Sequence, residues 1–440
     1  MKSIDMTTGS PSKKILLFSL PILLGNILQQ IYSLSDTLVV GRFLGKEALA
    51  AVGASSAIVV LINSILLGLT MGSSVLFATY YAKKDYESLG KTISTAFIFI
   101  GGFSVLLTLI IIIMLKPMLH LFQMPIEAMP LAQSYLTIVL SGLSFLTLYN
   151  ISVAVLRAFG DSKTPLIYLV ISTSINVAFD FIFVIYTDLG VKGPALSTLL
   201  AHVTTSMPIL IHLVKKTKHI PKPFKVDKVI FKEVWSYSML TSVQQSIMNF
   251  GILLIQGLVN SFGVVAIAAF TIGVRIDAFA YMPAQDFANG FSIYVSQNKG
   301  IERYDRIKQG FKSSILTQTL FTGVITIGIL LFSTPLIRLF SPDDTSVLIL
   351  AKKYLQIEGL FYILIGYLFL FYALFRGLGL VRTSILLTII SLGMRVMLSY
   401  IMVYLGFGLI SVFWSIPIGW FIADVAGYYF YRKEMGILND

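Results

Sequence analysis

The sequence contains no cysteine and few charged residues. Without cysteine, the 440-residue chain can form no disulfides, thiolate metal sites or iron–sulfur clusters, and it has no cysteine nucleophile. Charged residues make up only 12% of the chain, whereas soluble domains usually contain about 25%. These two absences argue against an ordinary soluble domain and against all thiol chemistry.

Long apolar runs occupy most of the chain instead. Hydrophobic residues make up 56% of it, and its mean hydropathy is +0.85. A helix needs about 20 apolar residues to cross a bilayer. The pattern predicts an all-α polytopic membrane protein with twelve transmembrane helices. The predicted runs are approximately 15–40, 48–80, 92–115, 131–157, 165–186, 191–214, 229–258, 264–296, 310–333, 350–375, 383–405 and 409–431.

The lysines and arginines indicate how these helices are oriented. If the N-terminus lies inside, 24 of them fall in inner segments and 7 in outer segments, as the positive-inside rule requires. We therefore expect both termini in the cytoplasm and a multi-pass location in the plasma (inner) membrane. The net charge of +12 follows from this topology, and it lacks the clustered, aromatic-interleaved pattern of a nucleic-acid surface.

A basic connection between the sixth and seventh runs divides the chain into halves of six helices. We predict cytoplasmic tails at 1–14 and 432–440, an N-lobe at 15–214, a basic linker at 215–228 and a C-lobe at 229–431. The first run follows fourteen mostly polar residues, exceeds the length of a signal peptide and has no small-residue cleavage site after it. We therefore expect it to be retained as a helix.

The two halves resemble each other in sequence. Gly45-Lys-Glu-Ala-Leu-Ala-Ala51 is echoed by Gly263-Val-Val-Ala-Ile-Ala-Ala269, and Leu156-Arg-Ala-Phe-Gly160 is echoed by Phe375-Arg-Gly-Leu-Gly379. The offsets are 218 and 219 residues. Because each half has an even number of helices, the pseudo-symmetric copies share one orientation in the membrane. A cleft between two such lobes is a natural path for a solute.

Asp36 is the only ionisable residue in the apolar run Ile15–Val40. An ionised carboxylate at membrane depth costs about 2.5 kcal/mol or more, so it normally faces an ion, water or a partner. Asp36 is therefore either part of a cation or proton site or an interfacial residue at the helix end.

Other polar residues of the first half are predicted near the same depth. Asn176 and Asp180 lie four residues apart and so share one face of the fifth helix. Thr198, Tyr135 and the deeper Asn150 lie on neighbouring helices. Two carboxylates at one level can bind a monovalent cation, or one of them can hold a proton. The alternative is that the amide and hydroxyl groups only join helices by hydrogen bonds.

Three further residues have open or structural interpretations. Asp286, on the eighth helix, is either a second acidic or substrate contact or the partner of Arg275 or Arg395. Arg157 and Arg376 repeat at corresponding inner helix ends, where a cation complements the helix dipole. We interpret both arginines as structural anchors.

Three motifs together resemble the MATE family of multidrug and toxin extrusion transporters, and most closely its DinF-like branch. They are Leu20-Pro21 with Gln29-Gln-Ile-Tyr-Ser-Leu-Ser-Asp36-Thr-Leu-Val-Val-Gly-Arg42, Leu156-Arg-Ala-Phe-Gly-Asp-Ser-Lys-Thr-Pro165, and Arg275-Ile-Asp-Ala-Phe-Ala-Tyr-Met-Pro283. The resemblance implies a twelve-helix antiporter that exports organic, often cationic compounds in exchange for Na⁺ or H⁺.

The resemblance also implies where the coupling ion binds. Asp36, Asn150, Asn176, Asp180 and Thr198 match positions of the N-lobe ion site, with Tyr135 beside it. The only metal expected is a monovalent cation at Asp36, Asn176 and Asp180. Val153 stands where some members carry a further asparagine. The NorM-like branch places carboxylates in its seventh and tenth helices. Here the seventh helix offers Gln244, Gln245 and Gln256, and the tenth has Glu358 only near its outer start, so we expect no C-lobe coupling site of that kind.

We therefore expect a monomeric secondary antiporter for small organic solutes, in contact with membrane lipid and not with nucleic acid, with no cofactor besides the coupling ion. A flippase for a lipid-linked saccharide is the alternative with the same fold, although it would want a larger, more basic cavity than Arg275 and Arg395 supply. The sequence shows no paired His/Glu metal motif, activated nucleophile or nucleotide loop, so we do not expect an enzyme. A passive channel would not need the two-lobe repeat.

Overall fold

The computed structural model describes residues 3–121, 128–221, 226–341 and 344–437. Within these ranges every regular element is a helix. In chain order the helices are α1 Pro11–Phe43, α2 Gly45–Lys83, α3 Tyr86–Ile113, α4 Leu115–Leu121, α5 Met129–Ser141, α6 Leu143–Ala158, α7 Lys163–Tyr186, α8 Lys192–Lys216, α9 Lys228–Asn260, α10 Val264–Gly300, α11 Tyr304–Arg338, α12 Thr345–Gly359, α13 Tyr362–Gly377, α14 Val381–Tyr404 and α15 Leu409–Ile437.

The helices of the described ranges have the lengths and composition of membrane spans. Eleven spans are long and apolar enough to cross a bilayer, with α5 and α6 together forming one of them, Met129–Ala158. A twelfth is made by α12 and α13, which meet at an angle of 51°. The predicted all-α fold with up to twelve spans is therefore confirmed.

The chain forms two compact units. The first unit comprises Met1–Asp5 and Leu20–Ser242, and the second comprises Met6–Ser19 and Val243–Asp440. These bounds differ from those of the predicted lobes, because short segments pack away from their neighbours in sequence.

Hydrogen bonds hold the displaced segments in place. The start of α9 belongs to the first unit, where Glu233 accepts a hydrogen bond of 2.6 Å from the hydroxyl of Tyr80. Residues 6–19 belong to the second unit, where the Met6 carbonyl oxygen accepts from Asn298 Nδ2 at 3.1 Å and from Arg306 Nη2 at 3.2 Å. The helical periodicity of the sequence predicts where the helices lie, but it does not predict which segments they contact.

The internal repeat is visible in the backbone. Gly45 is the first residue of α2 and Gly263 immediately precedes α10, and their φ angles are 85° and 91°. Gly160 and Gly379 follow α6 and α13 with φ angles of 79° and 78°. Left-handed backbone favours glycine because it has no Cβ. The corresponding helices of the two halves therefore begin and end with the same local geometry.

Close packing between α2 and the start of α9 depends on two glycines in the first unit. A Cβ atom on Gly68 would lie 2.4 Å from the Cα of Ser242, and one on Gly72 would lie 2.2 Å from the carbonyl oxygen of Tyr237. At the next residue of each helix, the hydroxyls of Ser73 and Ser238 hydrogen-bond at 2.7 Å. The two helices thus meet backbone to backbone, as small residues allow in membranes.

Candidate functional site

One face of α7 carries the polar side chains of the candidate site into the first unit. The buried residues in the second half of α7 are Asn176, Asp180 and Val184, each four residues from the next. This spacing places all three on one face. Asn176 is 2% exposed and Asp180 is fully buried.

Helix α8 provides hydrogen-bond partners for this face. Asn176 Nδ2 donates to Thr198 Oγ1 at 3.3 Å, and the hydroxyl of Ser197 donates to Asp180 Oδ1. Ser197 is fully buried and Thr198 is nearly so. Asn176 and Asp180 of α7 therefore each have one polar atom hydrogen-bonded to α8.

One oxygen on each of Asp36, Asn176 and Asp180 accepts no hydrogen bond within the described ranges, and we refer to these three as open oxygens. Asp36 Oδ1, Asn176 Oδ1 and Asp180 Oδ2 are buried, and none has a hydrogen-bond partner among the residues that the structure describes. The carboxyl groups of Asp36 and Asp180 interact electrostatically with each other. Buried oxygens without a donor are costly, whereas carboxylate and amide oxygens are the natural ligands of a hard cation. The arrangement fits a bound cation or a shared proton.

Two other predicted site residues lie on α5 and α6. Both helices pack against α8, and Tyr135 of α5 is buried. Asn150 of α6 is half-buried and forms no hydrogen bond with the cluster within the described ranges. The structure therefore connects Asn176 to Thr198 and Asp180 to Ser197 by hydrogen bonds, and Asp36 to Asp180 through its charge.

Ser197 is a polar residue of this site that the sequence analysis missed. Its hydroxyl also lies 3.1 Å from the carbonyl oxygens of Gly193 and Pro194 in its own helix. Serines in membrane helices commonly bond to their own backbone, so the sequence offers little signal for a second role. The available signal was its position beside Thr198.

The second unit contains a buried acidic cluster that the sequence analysis also missed. The carboxyl groups of Asp277 on α10 and Glu358 on α12 interact electrostatically with each other. Tyr354 donates to Asp277 Oδ2 at 2.6 Å, and Tyr362 donates to Asp277 Oδ1. Both carboxyl groups are buried, so this unit also holds two interacting acids at membrane depth.

A cavity of about 110 Å³ adjoins this acidic cluster. Arg395 and the aromatic rings of Tyr281, Phe369 and Trp420 help to line it. Glu358 Oε1 and Arg395 Nε have no hydrogen-bond partner among the described residues. The sequence analysis considered Glu358 but did not consider Asp277, which lies on the eighth span, as a site residue. Asp277 could have been identified from the sequence because it lies inside an apolar run, where acidic residues are rare.

The structure also places the remaining predicted residues. Asp286 is buried on α10, and Arg275, one of its two proposed partners, is exposed. Arg376 lies in the last turn of α13 and is buried, and its Nη2 donates to Asn289 Oδ1 at 2.8 Å. Arg157 lies in the last turn of α6. Arg376 thus joins two helices by a hydrogen bond, and the roles proposed for Arg157, Arg376 and Asp286 stay predictions.

Comparison with known proteins gives one family for both halves. The family model MatE matches residues 21–182 and again residues 239–401. The two matches have the offset of the repeat noted in the sequence. Together they cover most of the chain.

Individual relatives match along nearly their whole length. The chain is 29% identical over 398 residues to "Probable multidrug resistance protein YpnP" of Bacillus subtilis, which covers 89% of this chain and 88% of that one. It superposes on an outward-facing multidrug resistance MATE family transporter with a TM-score of 0.94 and 24% identity over 100% and 99% of the two chains. A MOP superfamily transporter from Pyrococcus furiosus gives a TM-score of 0.91 and 26% identity over the same shares.

Proposed function

The chain belongs to the MatE family of membrane transporters, and we propose that it is a secondary active antiporter. It exports organic, cationic or amphipathic compounds in exchange for Na⁺ or H⁺. The multidrug resistance name of the Bacillus subtilis relative supports this class of solute. We further propose that it works as a monomer in the plasma membrane, with both termini in the cytoplasm.

The observation that carries the proposal is the group of open oxygens in the first unit. Asp36 Oδ1, Asn176 Oδ1 and Asp180 Oδ2 are buried without donors in the described part of the chain. Inside a membrane, such a group gains most from a cation or a proton. We therefore assign the coupling ion to Asp36, Asn176 and Asp180.

The remaining residues of the site support this group. Thr198 holds the amide of Asn176, and Ser197 holds one oxygen of Asp180, which leaves the other oxygen available. Tyr135 and Asn150 complete the proposed surroundings of the ion. Binding of the ion favours one state of an alternating-access cycle, and the solute favours the other.

A flippase for a lipid-linked saccharide is less well supported. Such an anionic ligand requires a basic cavity. The cavity beside Asp277 is lined by two acids, Asp277 and Glu358, and by a single arginine, Arg395. Arg275, the other arginine considered for this purpose, is exposed. The electrostatics of this cavity favour a cation over an anion.

The proposal is tested by efflux of ethidium from vesicles under an imposed Na⁺ or H⁺ gradient. We expect one of the two gradients to drive efflux by the native chain. Asp36→Asn and Asp180→Asn should each reduce the rate at least about tenfold, because each removes a charged ligand of the ion. Glu87→Gln, which changes an exposed carboxyl group on α3, is the control.

Native rates in both site variants under the driving gradient would contradict the assignment of the ion. If neither gradient moves ethidium through the native chain, the flippase becomes the better explanation. Size-exclusion profiles of the purified variants separate loss of function from loss of folding.

A further inference from the structure

A second cavity in the second unit lies between α11, α13 and α15. Its volume is about 370 Å³, and it shares no lining residue with the cavity beside Asp277. Five of its nine lining residues are aromatic. They are Phe311, Tyr367, Phe371, Phe421 and Tyr428, and the others are Ile315, Leu364, Asp424 and Val425.

Asp424 is the only acidic residue in this lining, and no side chain within the described ranges forms a hydrogen bond or an ion pair with it. Its side chain lies on α15, and the residue is 9% exposed. Both carboxyl oxygens, Oδ1 and Oδ2, are buried and lack a hydrogen-bond partner within the described ranges. A carboxyl group held in this way inside a membrane span has a high cost unless a ligand offsets it.

The cavity opens on the side of α15 that faces away from the unit. Phe421, Val425 and Tyr428 line it, yet they are 56%, 56% and 55% exposed. They belong to the span Leu409–Gly436, so the opening lies at membrane depth. Asp424 lies eight residues before the basic end of the span at Arg432, about 12 Å along the helix. Because the positive-inside rule places this basic helix end in the cytoplasm, Asp424 lies in the cytoplasmic leaflet.

We propose that this cavity, the Asp424 cavity, binds an amphipathic organic cation that enters sideways from the inner leaflet. Aromatic faces attract cations, and the attraction is strongest where water is excluded. The carboxylate of Asp424 supplies the opposite charge, whereas an anionic or neutral ligand would leave it unpaired. Tyr372 lines the cavity beside Asp277, and the preceding residue, Phe371, lines the Asp424 cavity, so both cavities adjoin the same helix, α13.

The proposal concerns binding alone and does not depend on coupling at Asp36. It can therefore be tested without a transport assay. The absence of cysteine in the native chain makes site-specific labelling possible. Val425→Cys places a thiol in the cavity lining, and Tyr429→Cys places one at a position that is 64% exposed on the same helix but outside the lining.

The experiment measures maleimide labelling rates of the full-length variants in detergent, with tetraphenylphosphonium as the probe. At about ten times its Kd, the probe should slow labelling at position 425 about tenfold, by simple occupancy, and leave position 429 unchanged. Tetraphenylborate, an anion of nearly the same shape, should give no protection at 425. Adding Asp424→Asn to the Val425→Cys variant should abolish protection, and Asp424→Glu should preserve it.

Equal protection by the two ions, equal protection at the two positions, or protection that survives Asp424→Asn would each overturn the proposal. The comparison of the two ions uses Val425→Cys alone. It therefore decides the question even if Asp424→Asn does not fold.

Discussion

At the scale of single residues, the first unit separates two kinds of buried acid. Asp180 keeps one oxygen open, whereas Asp161, between α6 and α7, is fully engaged. Asp161 accepts hydrogen bonds from Thr164 N at 3.0 Å, from Thr164 Oγ1 at 2.8 Å and from Lys216 Nζ at 2.5 Å. An acid with every partner in place stabilises the fold, and an acid with an open oxygen is available for a ligand.

The pKa of Asp161 leads to a prediction about stability. Burial raises the pKa of this carboxyl group, but the hydrogen bonds from Lys216 and Thr164 outweigh burial, so its net pKa lies below the ordinary value. Asp161→Asn should lower the free energy of unfolding at pH 7 by about 2 kcal/mol, because it leaves the Lys216 ammonium without its counter-charge. Thermal unfolding of the purified protein in detergent measures the loss.

The same pKa sets the pH range of the effect. A lowered pKa in the folded state stabilises above the ordinary value of about 4, and this contribution disappears as the pH falls through the folded-state pKa. The difference between native and Asp161→Asn should therefore be constant near neutral pH and shrink only below about pH 4. Glu87→Gln, which removes an exposed ion pair with Lys91, is the control and should change stability little. A difference that grows on acidification would contradict this account.

The residues of the site were predictable from the sequence to the extent that they are rare in membranes. Asp36, Asn176 and Asp180 could be identified because acids and amides are unusual in apolar runs. Ser197 could not, because serine hydroxyls are common in helices and usually bond to their own backbone. Asp277 carried the same signal as Asp36, and its partners could not be inferred without the fold.

At the scale of helices, breaks and close contacts decide what the side chains meet. The 51° bend between α12 and α13 brings Tyr354, Glu358 and Tyr362 to Asp277, although the sequence suggested one continuous helix. The sequence at this bend contains no proline and no pair of glycines, so it does not predict the angle. The apolar pattern therefore predicted the span but not the acidic cluster beside it.

Contact between α2 and α9 leads to a prediction about packing. Gly72→Ala should destabilise the protein by about 1–3 kcal/mol, because its Cβ would overlap the carbonyl oxygen of Tyr237. Gly101→Ala, at a helical glycine of α3 with open space around it, should be neutral or slightly stabilising. Thermal unfolding in the same detergent compares them. Equal stability of the two variants would mean that the helices do not depend on this contact.

At the scale of the whole molecule, the two halves of the chain share one six-helix pattern but carry different buried polar residues. The backbone turns at Gly160 and Gly379 are the same, but the first unit has open oxygens on α7 and the second has an acid pair on α10 and α12. The sequence predicted the repeat from matching motifs. It did not predict that α1 and α9 each contribute to both units, since helical periodicity does not indicate long-range contacts.

The central claim is that solute export and cation entry are one coupled exchange at Asp36 and Asp180. The most direct measurement loads vesicles with tetraphenylphosphonium, imposes no ion gradient, and follows ²²Na⁺ and proton movement into the compartment that the solute leaves. For the native chain, one of the two cations should enter as the solute departs, and with Asp180→Asn it should not. Departure of the solute without cation entry, or unchanged entry in Asp180→Asn, would contradict the account.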